Sequence, residues 1–416
     1  MKIAPCNTFG GEFTVPGDKS ITHRAVMFNA AAEGEAHITG ALPGEDCLST
    51  AACMRALGAT VEFGGTEVRV VGTPTFRDAD CDCGNSGTTM RLLTGLLAGR
   101  KVHAALTGDP SLSARPMERV ARPLRELGAV IGTTDGHAPV TVSPARLRGC
   151  TVCTGVASAQ VKSAVILAAL GAEGETVVEE PILTRDHTER MLAAMGADIR
   201  AEGTRVTVRG SALHAADVHV PSDISSAAYF LALGALRGEV LCKNVGVNPT
   251  RTGLLRVFDE MGVRYALENE RTACGEPVAD IRVYKSALRP LHMGAELVPS
   301  LVDEIPVIAV LCAFADGESV IAGAQELKVK ESDRIASTAA MLNALGGDCT
   351  PTADGFIIRG KKSLAGGRVR SLKDHRIAMS GAVALAASAR GGEIEDADCV
   401  NISFPGFYSM LEGKGE

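Results

Sequence analysis

The sequence predicts an α/β protein of two lobes, built from a strand-and-helix module that repeats about six times around buried helices. Three observations carry that prediction. A phrase of helix, Leu/Met-Gly and two short strands recurs, most copies starting roughly 70 residues apart. Upstream of most copies stands an Ala-rich segment that is apolar nearly all round, as a buried helix is. And 416 residues are too many for one ordinary core.

In chain order the copies are "RALGATVEFGGTEVRVVG", "RELGAVIGTTDGHAPVTVSP", "AAMGADIRAEGTRVTVRG", "DEMGVRYALENE" with "ADIRVYKS", and "NALGGDCTPTADGFIIRG". In each, Gly stands where a helix C-terminus needs a left-handed residue. The alternating apolar pattern that follows predicts a hairpin. The buried helices are "RAVMFNAAAEG", "TTMRLLTGLLAGR", "SAVILAALGAEG", "AAYFLALGALRG" and "IPVIAVLCAFADG".

Composition narrows the function. A hydrophobic content of 46% with 22% charged residues is that of a globular protein. The net charge of −7, with no Trp and four Tyr, argues against nucleic-acid binding. No apolar stretch reaches membrane-spanning length without charges or glycines breaking it. The start "MKIAPCNTFGGEF" lacks a long apolar signal core, so a cytoplasmic protein is expected. Twelve cysteines are scattered, with "CDC" at 81–83 and "CTVC" at 150–153 the only clusters. The second has the spacing of half a zinc site but also reads as a short strand, and structural cysteines are the expectation.

The functional signal lies at helix starts: "GDKSITHR", "GNSGTTMR", "SAQVKS", "SDISSA" and "DHRIAMS". Ser, Asp and Asn there are ordinary caps. Free N–H groups and the positive dipole end also suit anions. Cations join them within a turn: Lys19 and Arg24, Arg91, Lys162, Lys330 and Arg334, His375 and Arg376. A cation at a helix start opposes the dipole unless an anion arrives. In "LKVKESDRI", read as a helix start, Lys330 and Arg334 share one face, with Asp333 as a helix-start brace. "PGDKS" is not a phosphate loop, because Asp18 separates the Gly from the Lys. No dinucleotide fingerprint or His-Glu-x-x-His motif is present, so no metal or cofactor is expected. The pattern implies small, multiply anionic substrates clamped by Arg forks, with Asp303 and Glu331 as proton carriers.

Together "PGDKSITHRA", "GNSGTTMR", "SLSARPM", "SAQVKSA", "LVDEIPV", "LKVKESDRI" and "DHRIAMS" resemble, in family order from about residue 11 to residue 411, the 5-enolpyruvylshikimate-3-phosphate synthase family. The resemblance implies a two-lobed inside-out α/β barrel, three modules per lobe, with the active site in the cleft between lobes. It places residues 1–15 and 225–416 in the first lobe and 16–224 in the second. The implied reaction moves the enolpyruvyl group of phosphoenolpyruvate onto the 5-hydroxyl of shikimate 3-phosphate through a tetrahedral adduct, releasing phosphate without metal or organic cofactor. Carried over by motif, Lys19, Gly87, Arg115, Gln160, Arg334 and Arg376 hold phosphoenolpyruvate. Ser20, Arg24, Ser158, Gln160, Arg185, Asp303 and Lys330 hold shikimate 3-phosphate. Asp303 is the implied base, Glu331 protonates the methylene carbon, and Lys19 assists the departing phosphate. The two substrates are the expected partners, of a monomer that binds no nucleic acid or membrane. Family members also take the herbicide glyphosate where phosphoenolpyruvate sits.

There are departures. "NISFP" has Ile402 where some members carry a lysine, and Leu92 replaces a proline that often follows the arginine of "GNSGTTMR". Two other readings remain. The sister enzyme acting on UDP-N-acetylglucosamine carries a cysteine five residues before its Arg-Pro pair, where this chain has Pro110. A non-catalytic anion binder on the same scaffold would gain nothing from Asp303 and Glu331 beside the clamp.

Overall fold

The computed structural model describes residues 1–413. The chain forms two compact units, one of residues 1–16, 221–271 and 277–416, the other of residues 17–220 and 272–276. The return crossing therefore falls at Pro221, ahead of the helix that contains Ser225, rather than at Ser225 itself. The short segment 272–276, the tip of a hairpin, was not foreseen in the second lobe.

The second unit carries three four-stranded sheets. In one, Ala79–Asp82 runs parallel to Ala104–Thr107, and the Gly87–Arg100 helix connects them. Thr151–Cys153 and Glu175–Glu179 repeat that arrangement around the Ala159–Ala169 helix. In the third, Val218–His219 pairs in parallel with Glu35–Thr39, which follows the Lys19–Ala30 helix. Each sheet is completed by an antiparallel hairpin.

The first unit repeats the plan. Phe9–Phe13 pairs in parallel with Gly238–Gly246, His292–Met293 with Glu318–Ile321, and Gly367–Arg370 with Gly392–Glu395. Their helices, Ile224–Arg237, Ile305–Ala313 and His375–Ala386, are buried along almost their whole length. Each unit has its own apolar core. Burial on every side explains why these helices lack a polar face.

The recurring Leu/Met-Gly phrase has the conformation expected of it. Gly58, Gly128, Gly196, Gly262 and Gly346 all follow helices with φ between 74° and 111°, a region costly for a residue with Cβ. A different glycine shapes the site. At Gly95 a Cβ would lie 2.0 Å from the Ala164 carbonyl oxygen, so only glycine lets the Gly87–Arg100 and Ala159–Ala169 helices pack this closely.

"LKVKESDRI" departs from its reading. The helix starts only at Arg334, and Lys330 closes a 3₁₀ turn over Gln325–Val329, so the two cations do not share a helix face. Asp333 sets the boundary: its carboxylate accepts from the Ile335 and Ala336 amides at 3.0 and 3.1 Å. "CTVC" does contain a strand, Thr151–Cys153. Cys153 is exposed, whereas most of the other cysteines are buried, and all twelve are free. Leu92 lies inside a helix and is buried, so no turn depends on it.

Candidate active site

In the second unit, Asp18 caps the Lys19–Ala30 helix through the Ile21 amide at 2.8 Å. Lys19 Nζ lies 3.1 Å from Asp46, and both side chains are mostly buried. Ser20 is half-buried. Arg24 is buried and fully engaged: Nε donates to Thr188 Oγ1 at 2.7 Å, Nη1 to the Ser20 carbonyl at 2.9 Å and Nη2 to Ser163 Oγ at 2.9 Å. Burial pulls its pKa down to about 10, and the positive charge of Arg185 adds to that fall. Glu189 and Asp18 oppose that fall more strongly than Arg185 adds to it, so Arg24 and Arg185 share one neighbourhood with these carboxylates.

A second group surrounds Gly87, which opens the helix that Ser86 caps. A Cβ on Gly87 would stand 3.0 Å from Arg91 Nη1 and 3.5 Å from Arg115 Nη1. Arg91 Nη1 donates to Gln160 Oε1 at 2.6 Å, and Gln160 Nε2 to Thr88 Oγ1 at 2.9 Å. Arg115 is held by Asn85 Oδ1 at 2.8 Å, and Asn85 in turn by Asp109 at 2.6 Å. Ser158 starts its helix without a side-chain cap bond. Gly87, Arg115 and Gln160 therefore come together, with Arg91 as the side chain that joins them.

Lys162 behaves differently from the other helix-start cations. It is 1% exposed and paired at 2.8 Å with both Glu180 and Glu189, which are themselves 1% and 6% exposed, so the whole ion group is closed off from solvent and braces the fold, whereas two of the carboxylates on Arg334 are partly exposed.

In the first unit, Arg334 is the hub. Nε donates to Asp374 at 2.9 Å, Nη1 to Asp303 at 3.3 Å and Nη2 to Glu331 at 2.5 Å. Its side chain is 1% exposed, against 22% and 26% for Asp303 and Glu331. Burial works against its charge, but the carboxylates outweigh burial and raise its pKa. Asp374 responds in reverse: burial pushes its pKa up, and Arg334 holds it below the usual carboxylate range. Arg376 donates to the Tyr229 hydroxyl at 3.4 Å. Lys330 lies 4.0 Å from Glu326, and desolvation lowers its pKa while Asp303 counters the fall. Asp303, Lys330, Glu331, Arg334 and Arg376 thus share one electrostatic neighbourhood.

Sequence reasoning missed the partners. Asp46 had no local signal. Asp374 was visible only as a cap in "DHRIAMS", yet it caps Arg376 N at 2.9 Å and anchors Arg334 as well. A buried chain was also missed: His23 Nδ1 to Thr50 Oγ1 at 2.7 Å, Thr50 to Thr89 at 2.6 Å, and Thr89 to Ser86 Oγ at 2.7 Å. It ties the Lys19 helix to the cap beside Gly87. Among the described residues, no group of His, Cys, Asp and Glu is arranged to hold a metal ion, and no helix is long and apolar enough to cross a membrane.

The chain is 48% identical to a 3-phosphoshikimate 1-carboxyvinyltransferase of Desulfitobacterium hafniense, with 100% of this chain and 98% of that one covered. It is 50% identical to the enzyme of that name from Desulforudis audaxviator, covering 99% and 98%. Among solved structures, the EPSP synthase of Acinetobacter baumannii superposes with a TM-score of 0.89 at 46% identity, covering 100% of this chain and 98% of that one. The enolpyruvyl transferase NikO of Streptomyces tendae shares the fold, with a TM-score of 0.79 at 20% identity and 100% and 97% coverage. The profile of one family matches residues 3–411, and the chain belongs to it: EPSP synthase (3-phosphoshikimate 1-carboxyvinyltransferase).

Proposed function

We infer that the chain transfers the enolpyruvyl group of phosphoenolpyruvate to the 5-hydroxyl of shikimate 3-phosphate, releasing phosphate. One observation supports the chemistry above all: a buried guanidinium holds two partly exposed carboxylates, Asp303 and Glu331, among cations. A binder of anions has no use for carboxylates there. An enzyme that must take one proton and give another does.

Asp303 takes the proton of the 5-hydroxyl as its oxygen bonds to C2 of phosphoenolpyruvate. Glu331 delivers a proton to C3, giving the tetrahedral adduct. Glu331, now a carboxylate, takes a proton back from that methyl group as the C2–O bond to phosphate breaks, which restores the double bond, with Lys19 beside the departing oxygen. In this reading Lys19, Gly87, Arg115, Gln160, Arg334 and Arg376 hold phosphoenolpyruvate. Ser20, Arg24, Ser158, Gln160, Arg185, Asp303 and Lys330 hold shikimate 3-phosphate. Arg24 acts chiefly through Ser20, whose carbonyl it grips. The enzyme works in the cytoplasm as a monomer.

Purified protein supplied with both substrates tests the reading. Phosphate release in step with formation of the enolpyruvyl ether is expected. Release with UDP-N-acetylglucosamine instead favours the sister activity, and binding without release leaves only the anion binder.

A further inference from the structure

We propose that Lys162 is a positioning residue for Arg185, a role that rests on the reading of Arg185 as a ligand of shikimate 3-phosphate. Its ammonium is 1% exposed and lies 2.8 Å from Glu180 and 2.8 Å from Glu189. Both carboxylates are buried with it, at 1% and 6% exposure, so the ion group opens on no solvent. What it reaches is the chain on either side of Arg185.

On the near side is Thr184. Lys162 Nζ donates to the Thr184 carbonyl at 3.3 Å. Glu180, held by Lys162, accepts from the Thr184 amide at 3.1 Å and from its hydroxyl at 2.5 Å. One buried ion pair therefore fixes the N–H, the C=O and the side chain of the residue before Arg185. On the far side, Glu189 lies four residues beyond Arg185, in the first turn of the His187–Ala194 helix, and pairs with the same ammonium. On its own helix Lys162 sits one turn past Ser158 and two residues past Gln160. A single charge thus ties the Ser158–Gln160 helix start to the segment that carries Arg185.

Beside it, Ser163 and Thr188 join the same two helices through Arg24, at 2.9 and 2.7 Å, and bond to each other at 2.6 Å. A surface arginine needs no such scaffold. Holding a half-buried arginine in a binding geometry does, because ordering it beforehand removes that cost from binding.

The test compares Lys162→Met and Thr184→Val in the wild-type and Arg185→Ala backgrounds, reading kcat and KM for each substrate. Lys162→Met is expected to raise KM for shikimate 3-phosphate about tenfold, with KM for phosphoenolpyruvate within about twofold of wild type. Thr184→Val, which removes only the hydroxyl bond, is expected to give about a threefold rise and keeps the test available should Lys162→Met fail to fold. In the Arg185→Ala background both effects are expected to shrink below about twofold. Full multiplication of the effects in that background overturns the proposal, as does an equal rise in both KM values. If Arg185→Ala itself leaves KM for shikimate 3-phosphate unchanged, the reading of Arg185 falls and the proposal with it. Wild-type protein that releases no phosphate refutes the enzymatic reading instead.

Discussion

Gly87→Ala isolates the space in front of the two arginines. Gly87 is not in the left-handed region and lies in the first turn of a helix, so its lack of a side chain answers to something other than the turn. The added methyl would meet Arg91 Nη1 at 3.0 Å and Arg115 Nη1 at 3.5 Å. An ordinary contact needs about 3.4–3.5 Å, so the tip of Arg91 yields by roughly 0.4 Å. Its bond to Gln160 starts at 2.6 Å and stays within hydrogen-bond range after that shift. Alanine also gains about 0.4–1 kcal/mol over glycine by restricting the unfolded chain. The free protein is therefore expected to keep its stability within about 1 kcal/mol. A ligand between these arginines cannot yield in the same way. On the proposed placement of phosphoenolpyruvate at Gly87 and Arg115, glyphosate, the longer of the two, is expected to lose more, by about 1–3 kcal/mol, or roughly ten- to hundredfold in affinity. The assay is competitive inhibition against phosphoenolpyruvate, with thermal unfolding as the control. Equal loss of both affinities, or a large fall in Tm, would refute the argument.

Glu331→Gln is expected to bind both substrates normally while kcat falls by roughly 10²–10⁴; isothermal titration beside phosphate-release kinetics checks this, and a wild-type kcat refutes the role. Arg334→Ala withdraws the cation from three carboxylates, of which Asp374 is fully buried. A loss of about 3 kcal/mol in urea unfolding is expected, together with weaker phosphoenolpyruvate binding; unchanged stability would show that the hub carries no energetic load. His23 is fully buried, and burial lowers its pKa from 6.5 to about 3. Below pH 6.5 the unfolded chain takes up this proton and the folded chain does not. Stability therefore falls by about 1.4 kcal/mol per pH unit from pH 6.5 towards 3, or about 2 kcal/mol by pH 5. His23→Asn is expected to flatten the stability profile over that window by about one proton, and an unaltered slope rules the histidine out as its source.

Much of the fold was legible because its signals are local. All-round apolar helices followed by Leu/Met-Gly hairpins specify the module wherever they occur, and the five glycines confirm it by their φ angles. The sixth buried helix, His375–Ala386, was read only through its polar start. The cations of the candidate site were legible because they break a local rule at helix starts. Their counter-charges were not. Asp46 lies 27 residues from Lys19 and Asp374 lies 40 from Arg334, and nothing in either stretch marks the pairing. The position of Lys330 was misread for a local reason: Ser332-Asp333 is itself a cap signal, and it begins the helix after Lys330.

Those counter-charges change how the cations are to be understood. Read from sequence, Lys19, Arg334 and their like are charges waiting for an anion, and the dipoles of their own helices oppose them. In the structure Lys19 faces Asp46, and Arg334 faces Asp303, Glu331 and Asp374. The more deeply buried carboxylates, Asp46 and Asp374, hold their cations in place in the ligand-free protein. The carboxylates also set a requirement on the substrates, which must compete with them. Exposure separates the two kinds of partner. Asp374 is fully buried against Arg334, whereas Asp303 and Glu331 are each about a quarter exposed, as the proposed contacts with a hydroxyl and a methylene carbon require. The proposed proton carriers are the partly exposed carboxylates, and the anchor is the buried one.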